Sequence, residues 1–315
     1  MRTVGIAKRS LDGVDVVAIS GEIEVTFAPS AGMVACSLRH SGEELLGQRG
    51  GLHTYIREHS TMGIPLLYPW ANRLSSERFQ VAGREVVLDA NPPPRHLSRD
   101  PDGLPIHGLL SADEGWRVER LDSSDDGGVI AAGLNFGERP DLLAAFPFPH
   151  ELRLEATVAG ARLAVAATVL ANGGVAVPIA FGFHPYFRLP GVERAAWEID
   201  VPVREQLVLD ELGLPTGERV DVDVDAGALG ERTFDDAYEA PPGGAPFVLA
   251  GGGRTIALNF ECGYRYSQVF APAEDDVIAY EPMTAPTNAL VRGGEELPLL
   301  DPGDEYEAVF SIEVS

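Results

Sequence analysis

The chain has 315 residues, 45% of them hydrophobic, enough for one large all-β domain or two smaller domains. A formal charge of -24 at pH 7 repels phosphate backbones and anionic membranes, which argues against nucleic-acid and membrane partners and for a neutral small molecule. Lys8 is the only lysine among 24 basic residues, which disfavours Schiff-base, pyridoxal and Walker-type phosphate chemistry.

The first residues contain no uninterrupted apolar h-region, and no stretch approaches the ~18 apolar residues of a membrane span, so a soluble, cytoplasmic protein is expected. Strands of period two follow one another in chain order: 15–20, 22–27, 33–38, 115–121, 128–136, 151–158, 162–170, 176–183, 195–209, 246–250, 255–260, 266–270, 276–281 and 305–314. Ala159-Gly160 closes a hairpin between two of them. Helical periodicity is confined to short pieces such as 141–145. Strands without interleaved helices predict one large antiparallel β-sandwich, a single domain over residues 1–315. Pro92-Pro93-Pro94, Pro241-Pro242-Gly243-Gly244 and Gly251-Gly252-Gly253 are short enough to be loops inside it. The acidic run Asp221 to Asp225 reads as a solvated strand edge. Cys36 and Cys262 lack metal-ligand or C-x-x-C spacing and are expected as buried free thiols.

Five places set a polar or ionisable group into an apolar or aromatic stretch, a costly arrangement unless the group is paired or meets a ligand. In Tyr68-Pro69-Trp70-Ala71-Asn72-Arg73 the prolines forbid a helix. Arg73 there can fork two donors onto vicinal hydroxyls beside an aromatic face, or salt-bridge a loop. His107, between Ile106 and Gly108, is either a hydrogen-bonded core histidine or a ligand contact. His184 ends an apolar strand and precedes Pro185, walled by Phe183, Tyr186 and Phe187, a setting that presents a proton donor in a cleft. Asp235 and Asp236 are adjacent, so on a strand only one faces the site. Glu281 ends a strand before Pro282 and is a solvated terminus or a base.

These segments, in this order, resemble the aldose 1-epimerase family, the galactose mutarotases. Pro69-Trp70-Ala71-Asn72-Arg73 resembles the family's proline-tryptophan-x-asparagine-arginine segment, and Ile106-His107-Gly108 its histidine-glycine motif. Phe183-His184-Pro185-Tyr186-Phe187 resembles its histidine-x-tyrosine-phenylalanine block, and Tyr280-Glu281-Pro282-Met283-Thr284 its glutamate-proline-x-threonine block. Asp235-Asp236-Ala237-Tyr238 fits the family's aspartate element with Asp235 in first place, or Asp236 if the match slips by one.

The resemblance implies a galactose-mutarotase-like β-sandwich that interconverts the α and β anomers of an aldose, with no metal and no organic cofactor. It implies His184 as catalytic acid and Glu281 as catalytic base, with Arg73, His107, Asp235 and Asn72 binding the sugar. A hexose-6-phosphate 1-epimerase using Arg78, Arg95, Arg99 or Arg265, and a non-catalytic sugar-binding module, remain the rival readings. Monomer and homodimer stay equally open.

Overall fold

Alternation in the sequence becomes alternation in burial. Along Arg162–Leu170, every second side chain (Leu163, Val165, Ala167, Val169) is buried, and the paired strand Glu151–Ala159 follows the same rhythm with Leu152, Leu154, Ala156 and Val158. The two form the expected hairpin, Ala159 opposite Arg162, turned by Gly160 at φ +55°. The computed structural model describes residues 4–89 and 96–315; Pro92-Pro93-Pro94 and Arg95 lie outside the described residues.

Two large antiparallel sheets carry the molecule. One has nine strands in the order Gly227–Ala228, Glu198–Asp200, Phe247–Gly251, Arg254–Cys262, Glu305–Val314, Arg162–Leu170, Glu151–Ala159, Gly127–Asn135, Arg117–Ser124. The other runs Pro215–Asp221, Glu205–Leu209, Phe234–Glu239, Tyr266–Ala271, Ile278–Met283, Gly182–Phe183, Leu66–Leu67. Tyr186–Phe187 also pairs with Ile278–Met283. Aromatic contacts tie the sheets face to face: Phe183 meets Phe310 and Phe247 meets Tyr280, each with ring centroids 5.0 Å apart. A five-stranded meander from Gly5–Leu11 to Glu43–Glu44 joins the same core through Val17, Ile19, Val25 and Leu38. The fold is therefore an all-β, single-domain antiparallel sandwich, as the strand pattern predicts.

Several expected elements differ in detail. The 176–183 strand breaks into Val177–Pro178 and Gly182–Phe183, and 195–209 into a 3-10 turn at Arg194–Ala196 and strands Glu198–Asp200 and Glu205–Leu209. Pro178 and Pro202 account for this, since neither can donate to a ladder. The helix Gly51–Glu58 was not anticipated, whereas Pro140–Ala145 matches the short helix at 141–145. Pro215–Asp221 is an outer strand of its sheet, and the acidic run begins at its last residue and continues beyond it, with Asp221, Asp223 and Asp225 exposed. Cys36 is buried, but Cys262 is exposed, because it follows a register shift at the end of its strand.

The outer face of the eight-stranded sheet is the floor of the candidate site. Tyr280 points into the core, so Glu281 points the other way; Gln268 is its cross-strand partner, and Asp235 pairs opposite Phe270 on the same face. A wall of loops covers this floor. It is held by hydrogen bonds from His107 N–H to Asn72 O (3.0 Å) and from Leu109 N–H to Tyr68 O (2.7 Å). Gly108 makes the wall possible: its φ is +76°, and a Cβ there would stand 2.1 Å from the Tyr68 carbonyl oxygen. Gly108→Ala should therefore lower stability by more than ~3 kcal/mol in denaturant titration, a loss beyond that of most single substitutions. A neutral result would mean that the wall does not need this close approach.

Candidate active site

His184 follows the short strand Gly182–Phe183, and its backbone N–H donates to Pro65 O at 3.2 Å. This turns the ring toward the sheet floor, where His184 Nε2 lies 3.1 Å from Glu281 Oε1. Both side chains are buried, His184 at 4% and Glu281 at 2% exposure. Tyr186 stacks on the histidine ring (centroids 4.0 Å, planes 14° apart), and Phe270 and His107 meet it edge-on at 5.7 and 5.6 Å. The ring is thus clamped by aromatic neighbours and left with few alternatives to its contact with Glu281.

Burial determines the electrostatics. It drives the Glu281 carboxyl well above the usual carboxylate range, with the charge of Asp235 adding to the rise and Arg73 opposing it. The same burial drives the His184 ring well below its ordinary value, helped by the neighbouring His107 and Arg49. A carboxylate this close would by itself favour imidazolium at His184. The carboxylate is there, but so is the burial, and the outcome is a pair that holds one proton between its two members. Adding a second proton would bury a net positive charge, and removing the last would bury a net negative one.

The remaining sequence-derived candidates converge on this pair. Arg73 Nε donates to Asp100 Oδ2 at 2.8 Å, its terminal nitrogen lies 3.8 Å from Asp235 Oδ2, and Asn72 Oδ1 accepts from the Arg73 backbone N–H at 2.9 Å. Asn72 and His107 both adopt left-handed backbone, φ 57° and 62°. Surrounding protein and the Arg73 charge push the His107 imidazole down to about 3, so it is neutral at physiological pH. Asp235 faces the site, while Asp236 lies on the opposite face and accepts from Gln206 Nε2 at 2.9 Å.

Five further residues, Gln268, Asp100, Tyr186, Arg49 and Thr61, complete the arrangement. Gln268 is buried opposite Glu281; its Nε2 donates to Asp235 Oδ1 at 2.7 Å, and its buried Oε1 has no partner. Asp100 anchors Arg73 while accepting from the backbone of Asp102 and Leu104. The Tyr186 hydroxyl accepts from Arg49 at 3.1 Å and lies 2.6 Å from Thr61 Oγ1. Among the described residues, no group of three His, Cys, Asp or Glu side chains is arranged to hold a metal ion. Of the four arginines considered for phosphate, Arg78 is matched by Glu85 and Asp89 and Arg99 by Glu77, while Arg95 lies outside the described residues.

The sequence pattern of the aldose 1-epimerase family matches residues 31–313. The chain belongs to the aldose 1-epimerase family. A relative from Escherichia coli K12, the uncharacterized protein YihR, is 22% identical over 278 residues, covering 83% of this chain and 84% of that protein. Among solved structures, the fold is similar to a galactose mutarotase-like protein from Clostridium acetobutylicum (TM-score 0.85, 15% identity, 99% of this chain and 98% of that one). It is also similar to a galactose mutarotase related enzyme from Lactobacillus acidophilus (0.73, 19%, 95% and 97%) and to the GalM/aldose epimerase homologue of Caenorhabditis elegans (0.73, 14%, 99% and 99%). At these identities the structures speak for a shared fold.

This member of the aldose 1-epimerase family keeps several histidines neutral. His150 is one: its ring lies 2.5 Å from Phe148 O through Nδ1 and 2.6 Å from the Tyr68 hydroxyl through Nε2, and burial lowers it to about 4. His107 and His96 are lowered to about 3 and about 4. Each has a folded pKa below its unfolded value, so below ~6.5 the unfolded chain takes up protons that the fold refuses. Glu281, raised, contributes in the opposite sense and offsets His184. Stability should therefore fall as pH drops from ~6.5 toward ~5, with net proton uptake on unfolding measurable by calorimetry in buffers of different ionisation enthalpy. Stability that stays level across this window would show that the buried rings are not held neutral.

Proposed function

We propose that this chain is an aldose 1-epimerase acting on a free aldose. The observation that carries the reading is the 3.1 Å contact between two buried titratable groups, His184 and Glu281. Anomer interconversion needs an acid and a base at the ring oxygen and the C1 hydroxyl. These two oxygens are bonded to the same carbon, so their acid and base must stand side by side. A glycoside hydrolase sets its two carboxyl groups ~5 Å or more apart, on either side of the bond it breaks.

In the forward step Glu281 takes the proton from the C1 hydroxyl while His184 gives one to the ring oxygen. The bond between C1 and the ring oxygen breaks, and C1 becomes an aldehyde carbon. Rotation about C1–C2 presents the other carbonyl face. The new hydroxyl then attacks it, returning its proton to His184 as Glu281 reprotonates the carbonyl oxygen. Atoms and protons balance over the cycle, and no external acceptor is required. The C1 hydroxyl, donating to Glu281, favours the ionised carboxylate and moves the shared proton to His184 as substrate binds. Arg73, Asn72, His107 and Asp235 hold the hydroxyls, with Gln268 Oε1 an added acceptor. The acids matched to Arg78 and Arg99 support a neutral sugar over a phosphorylated one.

Replacing Glu281 by Gln or His184 by Asn should lower kcat at least ~100-fold without unfolding the protein. Polarimetry on freshly dissolved α-anomers measures this, and a fully active variant would remove that residue from the mechanism. Because the pair resists both a second proton and loss of its only one, the profile of kcat/KM against pH should be a broad plateau. Its acidic limb should lie below the ordinary histidine value of ~6.5, and its basic limb well above the ordinary carboxylate range. An isolated titration near 6.5 would contradict the shared proton.

The neutral-substrate reading has its own check. For the best free aldose, kcat/KM should change less than about twofold between ~20 and ~500 mM salt, since an uncharged ligand is not steered by the protein's field. Higher activity on glucose 6-phosphate, collapsing with added salt, would favour the phosphorylated-sugar reading instead.

A further inference from the structure

A cavity of about 410 Å³ lies against the candidate site, its lining shared with the site through His107 and Arg49. The reaction as proposed does not use it. Its size falls within the usual range of small-molecule sites. Besides these two residues, the walls include His59, Thr61, His96 and Ser98, so they offer imidazole edges and hydroxyls.

The charge of the lining points away from an anion. Arg49 lies 3.5 Å from Asp275 and donates to Tyr186, Arg99 is paired with Glu77, and Glu58 adds a carboxylate to the wall. The rings of His59 and His96 stack with centroids 3.4 Å apart and planes 15° from parallel, a geometry that two positive charges would not tolerate. His96 Nε2 is 2.5 Å from Ser98 Oγ. A dianion would find few uncommitted donors here, whereas an uncharged polyhydroxyl group could share the hydroxyls of Ser60, Thr61 and Ser98, each able to donate and accept at once.

The direction in which the cavity lies decides what can reach it. In the proposed reaction His184 faces the ring oxygen, and the carbon bonded to that oxygen, C5, carries the exocyclic C6. Glu281 faces the C1 hydroxyl, and beyond it Gln268 and Asp235 occupy the side of C2 and C3. His107, in edge contact with His184, lines the cavity. The arm that leaves the sugar beside its ring oxygen therefore runs toward this space.

Resting on the proposed epimerase reading, we propose that the cavity is a subsite for a second, uncharged sugar unit attached through O6 of the reacting aldose. The enzyme would then act on the reducing end of an O6-linked disaccharide as readily as on the single sugar.

Anomer interconversion is to be measured for glucose and galactose, for O6-linked disaccharides with each of these at the reducing end, for maltose, and for glucose 6-phosphate. The O6-linked disaccharides should keep kcat/KM within about threefold of their monosaccharides and exceed both maltose and glucose 6-phosphate. Ser60, an exposed lining residue that no proposed step uses, is replaced by Trp to fill the space. Ser60→Trp should cut kcat/KM for the disaccharides at least about tenfold and leave the monosaccharides within about twofold. Monosaccharide turnover with rejection of the O6-linked disaccharides would overturn the subsite alone. So would a Ser60→Trp variant that spares them or slows single and double sugars equally, and so would preference for the phosphate. If neither monosaccharide is turned over, the proposed function falls and the subsite with it.

Discussion

The candidate site rests on one interaction, the contact of His184 with Glu281 inside a water-poor pocket. Exposed to water, the two groups would titrate independently, with no reason to share a proton. With the two buried 3.1 Å apart, both the doubly protonated and the fully deprotonated state are disfavoured, since burial raises the carboxyl and lowers the ring. Everything around them maintains that condition. Tyr186 and Phe270 keep solvent from the ring, Asp235 and Arg73 act on the carboxyl with opposite sign, and the eight-stranded sheet fixes Glu281 from below.

The site has a rigid floor and an irregular wall, and the two have different physical origins. The floor is three neighbouring strands whose alternation sends Tyr280 into the core and Glu281 outward. The wall gathers Asn72, Arg73 and His107 from loops that satisfy one another's backbone groups, with three close-packed positions in left-handed conformation. Left-handed backbone at Asn72 and His107 is strained for residues with a Cβ, and the surrounding bonds hold it in place.

Legibility in the sequence followed this division. His184, Glu281, Arg73 and His107 stood out because each interrupts an apolar run, and their order carried the family resemblance. The sandwich was legible because period-two alternation is clear in the long neighbouring strands Gly127–Asn135, Glu151–Ala159 and Arg162–Leu170. Gln268 was not: Tyr266-Ser267-Gln268-Val269-Phe270 reads as an ordinary strand, and only cross-strand register sets the amide opposite Glu281. Asp100 sits in a turn-forming run with Pro101 and Gly103, where an aspartate needs no ligand to explain it. The choice between Asp235 and Asp236 turned on which face of the strand each occupies, and one strand in isolation does not reveal that.

The same separation of floor from wall bears on how the molecule could diverge. Strand positions such as Gln268 and Glu281 are bound by register to their neighbours, so an insertion there would flip side chains to the wrong face. The segments at 58–61 and 96–99 lie outside the strand ladders, tied to the site by contacts such as that of Thr61 with the Tyr186 hydroxyl, and loops of this kind accept changes of length and residue far more readily. Changes in these loops would reshape the wall and the cavity beside it while leaving the register that sets His184 against Glu281 in place.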